Sequence, residues 1–192
     1  LAPVALLGQA GDLFISEYVE GQVGSKKAIE LFNGTGVRVE LSSYALALYS
    51  NGANAPSQSV ALSEFQGGLE NGAVLILRNS ALTEVEADNH AAGAVINFNG
   101  DDAVALLRDG EVIDVVGAIG LRENLFANVT LVRRATVQGP NPSFDQNEWE
   151  VLPADSFGGL GSHAFDGLVV EAEPEAYPTD LQFTAEPWGE GR

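Results

Sequence analysis

The sequence of 192 residues contains no cysteine and only two histidines. Without cysteine the chain cannot form disulfide bonds, thiolate zinc sites or a cysteine nucleophile. Two histidines are too few for a histidine-rich metal centre. These absences exclude disulfide-rich scaffolds and several classes of metalloprotein and enzyme, and the sequence predicts no bound metal and no cofactor.

Basic side chains are also scarce. Nine Lys and Arg residues stand against 27 Asp and Glu residues, so the formal net charge is -18 and the pI is about 4.1. Binding to DNA, RNA or an anionic membrane depends on a basic face that displaces counterions. The charge therefore argues against nucleic acid as a partner. The sequence also lacks a run of 18 or more apolar residues, so it predicts no insertion into a membrane.

Short apolar runs of period two, separated by Gly, Asn and Asp, fill most of the chain. Many short strands at spacings of about 8–12 residues describe a β-sandwich or barrel. Asp109 and Gly110 predict a two-residue hairpin turn, because both positions tolerate a positive φ. The predicted strands are 13–20, 28–32, 37–41, 44–49, 60–62, 73–77, 94–96, 103–107, 112–116 and 130–134.

One stretch, residues 80–87, favours a helix instead. Asn79 or Ser80 is a suitable N-cap, and Leu82 and Val85 share one helical face. We expect one or two helical turns there, lying across the end of the sandwich. Trp149 is predicted to anchor the core rather than to form a ligand platform. The predicted fold class is therefore all-β, a sandwich with one short helical segment.

The two ends of the chain differ from the middle. Residues 1–11 are apolar and end in small residues, which is typical of a secretory signal remnant; the alternative is an N-terminal arm docked on the core. Residues 166–192 carry seven acidic side chains and one basic one, and this Pro- and Glu-rich tail favours an extended linker. Residues 179–184 then begin a further module of a larger protein, or form an extra edge strand. The predicted domain is 12–165.

Six segments, in this order, carry a resemblance to a known family. They are 12–21 (DLFISEYVEG), 27–33 (KAIELFN), 98–106 (FNGDDAVAL), 112–117 (VIDVVG), 130–134 (TLVRR) and 155–163 (DSFGGLGSH). Through them the chain resembles the bacterial lamin tail domain over residues 12–163. The resemblance implies an immunoglobulin-like sandwich and a non-catalytic accessory role. Such modules occur beside extracellular endonuclease/exonuclease/phosphatase domains, whose catalytic residues have no match here, and in other secreted surface proteins.

Asp101 and Asp102 lie on a glycine-containing turn and are candidate ligands for calcium, which prefers oxygen donors. Glu17, Glu20 and Glu30 lie on strands that the fold could bring near this turn. The spacing of these acids fits no EF-hand or repeat loop. The alternative, which we favour, is a structural turn in which Asp101 or Asp102 accepts hydrogen bonds from backbone N–H groups. We therefore predict no metal site.

Catalysis would need a pair of carboxylates in a cleft, or a nucleophile with its base. Asp114 is the least ordinary acid because it lies in an apolar strand, yet alternation places it on the solvent face. Glu30 is likewise predicted to lie on a solvated face. His90 and His163 stand in no nucleophile motif. We therefore predict that the chain is not an enzyme and has no catalytic or cofactor-binding residue.

Four basic side chains are candidates for contact with nucleic acid. Arg133 and Arg134 are adjacent in a strand, so they point to opposite faces. Lys26 and Lys27 are placed in a loop. These four side chains form no basic stripe, and the charge of the whole chain repels phosphate.

The function predicted from these observations is that of a non-catalytic interaction or spacer module in a larger secreted or cell-surface protein. The partners are predicted to be proteins, either other domains or surface components. The alternative is the accessory domain of a secreted nuclease or phosphoesterase whose catalytic domain is absent from this chain. A metal-dependent phosphoesterase domain elsewhere in the gene would support the alternative, and tandem sandwich modules would support the first prediction.

Overall fold

The computed structural model describes residues 9–85 and 89–167, and these residues form an all-β fold of twelve strands. Within them the helical elements are short 3₁₀ turns at Val23–Ser25, Leu41–Ser43, Ser50–Gly52, Leu62–Glu64, Gly93–Ile96 and Gln146–Glu148. The strands are β1 (Phe14–Glu20), β2 (Lys27–Phe32), β3 (Val39–Glu40), β4 (Tyr44–Tyr49), β5 (Gln58–Ala61), β6 (Gly68–Leu69), β7 (Val74–Arg78), β8 (Asn89–Ala91), β9 (Ala103–Arg108), β10 (Glu111–Val116), β11 (Val129–Arg133) and β12 (Trp149–Pro153).

The strands form two main sheets. The larger sheet has the order β12-β11-β1-β2-β7-β8, and the smaller has the order β10-β9-β4-β5. A two-stranded ribbon, β3-β6, stands beside them. Neighbouring strands are antiparallel except β7 and β8, which run parallel. This is the immunoglobulin-like β-sandwich that the sequence predicts.

The core lies between the two sheets and follows from the period-two pattern of the strands. On β9, Val104 and Leu106 point into this core, whereas Ala103 and Ala105 belong to a separate apolar cluster. On β7, Leu77 is likewise in the inter-sheet core, and its neighbour Ile76 packs in a cluster on the opposite face. Burial of a Leu or Ile side chain contributes about 1.5–3 kcal/mol, so this alternation drives the stacking of the sheets.

The opposite face of the six-stranded sheet is covered as well. Residues 155–165, which we call the cover segment, follow β12 and contain turns but no strand. Phe157 and Leu160 pack against Val19 and Ile76, and Phe165 packs against Phe14 and Phe32 in a second cluster. The central strands β1 and β2 are therefore buried on both faces.

The predicted hairpin at Asp109 and Gly110 is confirmed. These residues have φ values of 52° and 85° and join β9 to β10, with Arg108 paired to Glu111. Two consecutive residues with positive φ match the twist of an antiparallel pair.

The predicted helical segment is wrong over residues 80–85, which form a turn and irregular chain, while 86–87 lie outside the described residues. The side chain of Asn79 accepts hydrogen bonds from the backbone N–H groups of Leu82 (3.3 Å) and of Lys27 on β2 (3.2 Å). The second bond ties the segment to the sheet. Leu82 and Val85 still pack in one cluster, on the outer face of that sheet.

The strand predicted at 94–96 is also wrong, because these residues belong to the 3₁₀ turn Gly93–Ile96. Val95 and Ile96 are both buried in the inter-sheet core, which strict alternation in a strand would not allow. Conversely, β12 was not predicted as a strand, although its first residue, Trp149, was predicted to anchor the core.

The terminal predictions fall largely on residues 1–8 and 168–192, which lie outside the described residues. Of the predicted arm, Ala10 donates its N–H to the carbonyl of Gly34 (2.9 Å) and packs against Phe14 and Phe32. Within the described residues, no helix has the length and apolar character that crossing a membrane requires.

Candidate functional site

The turn that carries Asp101 and Asp102 is held by its own hydrogen bonds. The carboxylate of Asp102 is 8% exposed and accepts the backbone N–H groups of Asn51 (2.7 Å) and Asn99 (2.8 Å). Asp101 forms an ion pair with Arg122, at 2.9 Å from Nε. The predicted bonding of an aspartate to backbone N–H groups is confirmed, and Asp102 provides it.

Glu20, from the candidate calcium set, lines a cavity of about 240 Å³ together with Asp101. Oε1 of Glu20 lies 3.1 Å from the ammonium of Lys27, which supplies a positive charge there. Among residues 9–85 and 89–167, no group of three or more His, Asp or Glu side chains has an arrangement that could hold a metal. The geometry favours the structural turn over a calcium site.

Asp114 is buried, which corrects the prediction that it faces solvent. A β-bulge between Val112 and Asp114 breaks the alternation of β10, and the side chain is 0% exposed. Its oxygens accept Arg133 Nη2 at 2.5 and 2.6 Å, and they accept backbone N–H groups from Ile15 (2.7 Å) and Asn141 (3.0 Å). Burial raises the pKa of Asp114, and the guanidinium of Arg133 opposes that rise.

Arg133 links the sheets at this point. Its guanidinium bridges Asp114 and Glu148, the latter at 2.7 Å, and stacks 4.3 Å from the ring centroid of Trp149. Trp149 is 1% exposed, so the prediction that it anchors the core is confirmed. Arg134 is exposed and donates to the carbonyl of Asn147, so the two arginines do point to opposite sides.

A second group of buried acids lies beneath the cover segment. Glu17 and Glu30 are paired across β1 and β2, and they are 2% and 1% exposed. The prediction that Glu30 is solvated is therefore wrong, because the cover segment excludes water from this face. Ser16 Oγ donates to Glu30 Oε1 (2.7 Å), and the backbone N–H of Gly161 donates to Oε2 (2.7 Å).

Burial changes the proton affinity of both carboxyl groups. It raises the pKa of Glu17 to about 8, with the charge of Glu30 as a second cause. It raises the pKa of Glu30 to about 7, against the opposing effect of the bonds from Gly161 and Ser16. A carboxyl group in an apolar setting favours the neutral form because the ion loses its hydration. The pair therefore carries protons at pH values where exposed carboxyl groups have lost them.

The two histidines lie in different places. His163, on the cover segment, has its ring edge-on to Phe14 (5.5 Å) and Phe32 (4.9 Å), and Nε2 is buried without a hydrogen-bond partner. Burial and the nearby Arg133 charge lower the pKa of His163 to about 4. His90 lies on β8 against the ring of Phe65. Neither environment supplies the serine and orienting acid that a catalytic triad requires.

The two lysines predicted as candidates for contact with nucleic acid bond to other groups of the chain. Lys27 was placed in a loop, but it lies on β2, buried, and bonds to Glu20 and to the carbonyl of Phe98. Lys26 pairs with Glu84. Arg133 is buried, so it does not present its charge on the surface.

An open groove of about 400 Å³, which we call the Asp12 groove, was not predicted from the sequence. Asp12, Tyr44 and Arg108 line it, and Asp12 accepts hydrogen bonds from Tyr44 Oη (2.5 Å) and Arg108 Nη1 (2.7 Å). Arg38 and Ser42 also line it. These residues come from distant parts of the chain, and no local pattern in the sequence predicts their meeting.

Two stacked, mainly antiparallel sheets with an apolar core define the chain as an immunoglobulin-like β-sandwich. The family model of the Lamin Tail Domain matches residues 8–120, more than half of the chain, and the chain therefore belongs to this family. The comparison with curated proteins found no match, and neither did the comparison with solved structures.

The family match confirms the resemblance to the lamin tail domain within residues 12–120. The lamin tail domain is a non-catalytic immunoglobulin-like fold. The matched region ends just after β10. Two of the motifs lie beyond it: 130–134 overlaps β11, and 155–163 forms most of the cover segment.

Proposed function

We propose that this chain is a non-catalytic interaction module of a larger bacterial protein that is secreted or displayed on the cell surface, and that its partners are proteins. The observation that carries this proposal is the use of the buried polar groups. Asp102, Asp114 and Glu30 all accept hydrogen bonds from the chain's own backbone. Groups bound in this way maintain the fold and do not present reactive atoms to a substrate.

The composition supports the extracellular part of the proposal. A net charge of -18 keeps a protein soluble and repels anionic surfaces, and a chain without cysteine is unaffected by an oxidising environment. An antibody against the folded module, applied to intact and to lysed producing cells, tests the location. We expect binding to intact cells or to the culture medium. Detection only after lysis would contradict the proposal.

The Asp12 groove is the surface that we assign to partner contact. It is open, and its charged side chains form ion pairs, Arg38 with Glu40 and Arg108 with Asp12, so it presents both signs of charge in an otherwise acidic protein. A photo-reactive amino acid at Ser42, which is exposed in the groove, tests this in the full-length protein. The matched control is the same amino acid at Ser57, which is exposed on another loop. We expect one discrete protein adduct from position 42 and none from position 57; equal labelling from both would refute the assignment.

A direct assay tests the non-catalytic part. The pure chain is incubated with DNA in the presence of Mg²⁺ and Ca²⁺, and we expect no digestion. Digestion that is abolished by replacing Asp101, Asp102 or Asp114 with Ala would overturn the proposal. An effect on the KM of a separate nuclease domain for DNA, without digestion by the chain itself, would instead support the role of a nuclease accessory domain.

A further inference from the structure

The outer face of the six-stranded sheet consists of two apolar clusters with carboxyl groups between them. Along β1 the outward residues are Phe14, Ser16, Glu17 and Val19, because a bulge places Ser16 and Glu17 on the same face. Along β2 they are Ala28, Glu30 and Phe32. Phe14 and Phe32 belong to one cluster, and Val19 and Ala28 belong to the other. The cover segment contacts both clusters, so it must cross the carboxyl pair.

The cover segment contacts the two acids through backbone positions. Gly161 donates its N–H to Glu30 Oε2. A β-carbon at Gly159 would collide with Glu17 Oε2, so the segment approaches Glu17 more closely than a side chain there would permit. The other oxygen of Glu17, Oε1, is buried without a hydrogen-bond partner. The segment is therefore seated directly on the two carboxyl groups.

The charged groups around the pair do not neutralise it. Among the described residues, no ion pair involves Glu17 or Glu30. Three basic side chains of the packed elements are paired with other acids. Arg133 of β11 pairs with Asp114 and Glu148. Lys26 pairs with Glu84, and Lys27 pairs with Glu20. The cover segment itself contains His163, which is neutral above about pH 4 because its pKa is lowered, and one acid, Asp155.

We propose that Glu17 and Glu30 form a proton-controlled latch for the cover segment. The segment stays on the sheet while the pair retains at least one proton, and it detaches when both carboxyl groups are ionised. Detachment admits water to the two charges and uncovers the apolar clusters around Phe14 and Val19. This inference does not depend on the proposed function, since it concerns how the fold responds to pH.

The direction of the response follows from linkage. The pKa values of about 8 and about 7 lie above the ordinary value of 4.5, so the closed state binds protons more tightly than the open state. Raising the pH therefore favours opening, by about tenfold per pH unit for each proton that is lost. The two glutamates therefore favour the closed state most strongly below about pH 4.5, and their contribution is lost once the pH exceeds about 8.

Hydrogen exchange measured by mass spectrometry on the full chain tests the latch. The protection of peptides spanning 156–165 is compared between pH 6 and pH 9, after correction for intrinsic exchange rates, with peptides from β9 as the internal reference. We expect protection of the cover segment to fall at least tenfold, while β9 changes little. A pH-independent cover segment, or an equal loss of protection in β9, would overturn the proposal.

Two variants make the test specific. Replacing both acids, Glu17→Gln with Glu30→Gln, keeps the shape but removes the ionisation, so protection of the cover segment should become independent of pH. The matched control is Glu150→Gln at an exposed position of β12, which should behave like the wild type. Retention of the wild-type pH dependence in the double variant would refute the latch.

A second measurement covers the case in which the double variant does not fold. Carboxyl ¹³C shifts of the wild-type chain report each glutamate directly by NMR. We expect two glutamates to titrate above pH 6, and the single variant Glu30→Gln to remove one of them. If every glutamate in the wild-type chain titrates below pH 6, the latch does not exist.

Discussion

The two faces of the six-stranded sheet are buried in different ways. The inner face meets a second sheet, and its side chains, such as Leu31 and Leu77, join those of Leu46 and Leu106 in one apolar core. The outer face meets an irregular segment that comes about 125 residues after β2, and it contains two glutamates, a serine and a histidine among its aromatic rings. Along β1 and β2 both faces are buried, yet only one of them is apolar.

The difference shows what kind of partner a buried carboxyl group needs. The backbone N–H groups of a sheet are taken up by neighbouring strands, so a second sheet offers few donors to an acid that faces it. An irregular segment has free N–H groups, and Gly161 gives one to Glu30. Polar side chains can therefore be buried where the covering layer is a loop, at the cost of a dependence on pH.

The largest expected loss of stability comes from Arg133, which contacts side chains of both faces. Arg133→Met removes the cation that contacts Phe14 on one side and Trp149 on the other, and it leaves Asp114 as an unpaired buried charge. We expect a loss of about 3–5 kcal/mol in the free energy of unfolding, measured with urea. The control Arg134→Met, at the exposed neighbour, should change it by less than about 0.5 kcal/mol. Recovery in Arg133→Met with Asp114→Leu would confirm that the unpaired charge causes the loss, and no recovery would contradict it.

Two adjacent residues of β7 allow the cost of a cavity to be compared between the two faces. Leu77 and Ile76 are both 0% exposed, but Leu77 faces the second sheet and Ile76 faces the cover segment. We expect Leu77→Ala to cost about 3–4 kcal/mol and Ile76→Ala about 2 kcal/mol, because a loop can settle into a cavity more readily than a sheet can. Urea unfolding of both variants measures the difference. Equal losses would show that the cover segment is as rigid as the second sheet.

The pH dependence of global stability tests the outer face alone, and its sign is defined. The raised pKa values of Glu17 and Glu30 mean that stability is full below about pH 4.5 and falls as the pH rises towards 8. The lowered pKa of His163 has the opposite effect, and stability falls as the pH drops from 6.5 to about 4. We expect the free energy of unfolding to peak near pH 5 and then fall by about 1.4 kcal/mol per pH unit for each proton lost. Thermal unfolding from pH 4 to pH 9 checks this, and a broad maximum at pH 7–8 would contradict it.

The smallest expected change in stability concerns the ion pair between Arg108 and Asp12, which lies in the Asp12 groove. Arg108 is half exposed where it pairs with Asp12, so Arg108→Gln should change the free energy of unfolding by only about 0–1 kcal/mol. The change should shrink further in 1 M NaCl, because salt screens exposed charges. A loss comparable to that of Arg133→Met would mean that the Asp12 groove is part of the structural core.

The sequence allowed the strands and the hairpin to be predicted because both depend on local patterns. The alternation of Val104 and Leu106 and the positive φ of Asp109 and Gly110 need no knowledge of distant residues. The position of Asp114 could not be predicted, since the bulge beside it shifts the alternation without leaving a mark in the residues themselves.

Glu30 illustrates a different limit of sequence reasoning. Its alternation on β2 is regular, and the outward direction predicted for it is correct. Its burial depends on the cover segment, which lies far away in the chain, so no local pattern could reveal it. The same holds for the Asp12 groove, whose walls come from several loops. The general architecture of the sandwich follows from the sequence, but the environments of its acids follow from the tertiary structure.

The place of β1 in the larger sheet has a consequence for synthesis of the protein. This first strand is hydrogen-bonded on one side to β2 and on the other to β11, which is made more than 100 residues later. During synthesis on the ribosome, the backbone N–H and C=O groups on one side of β1 therefore stay unpaired until residues 129–133 have emerged. Contacts so distant in sequence form slowly. A fragment that ends at residue 120 would leave that edge permanently open, and we expect it to aggregate.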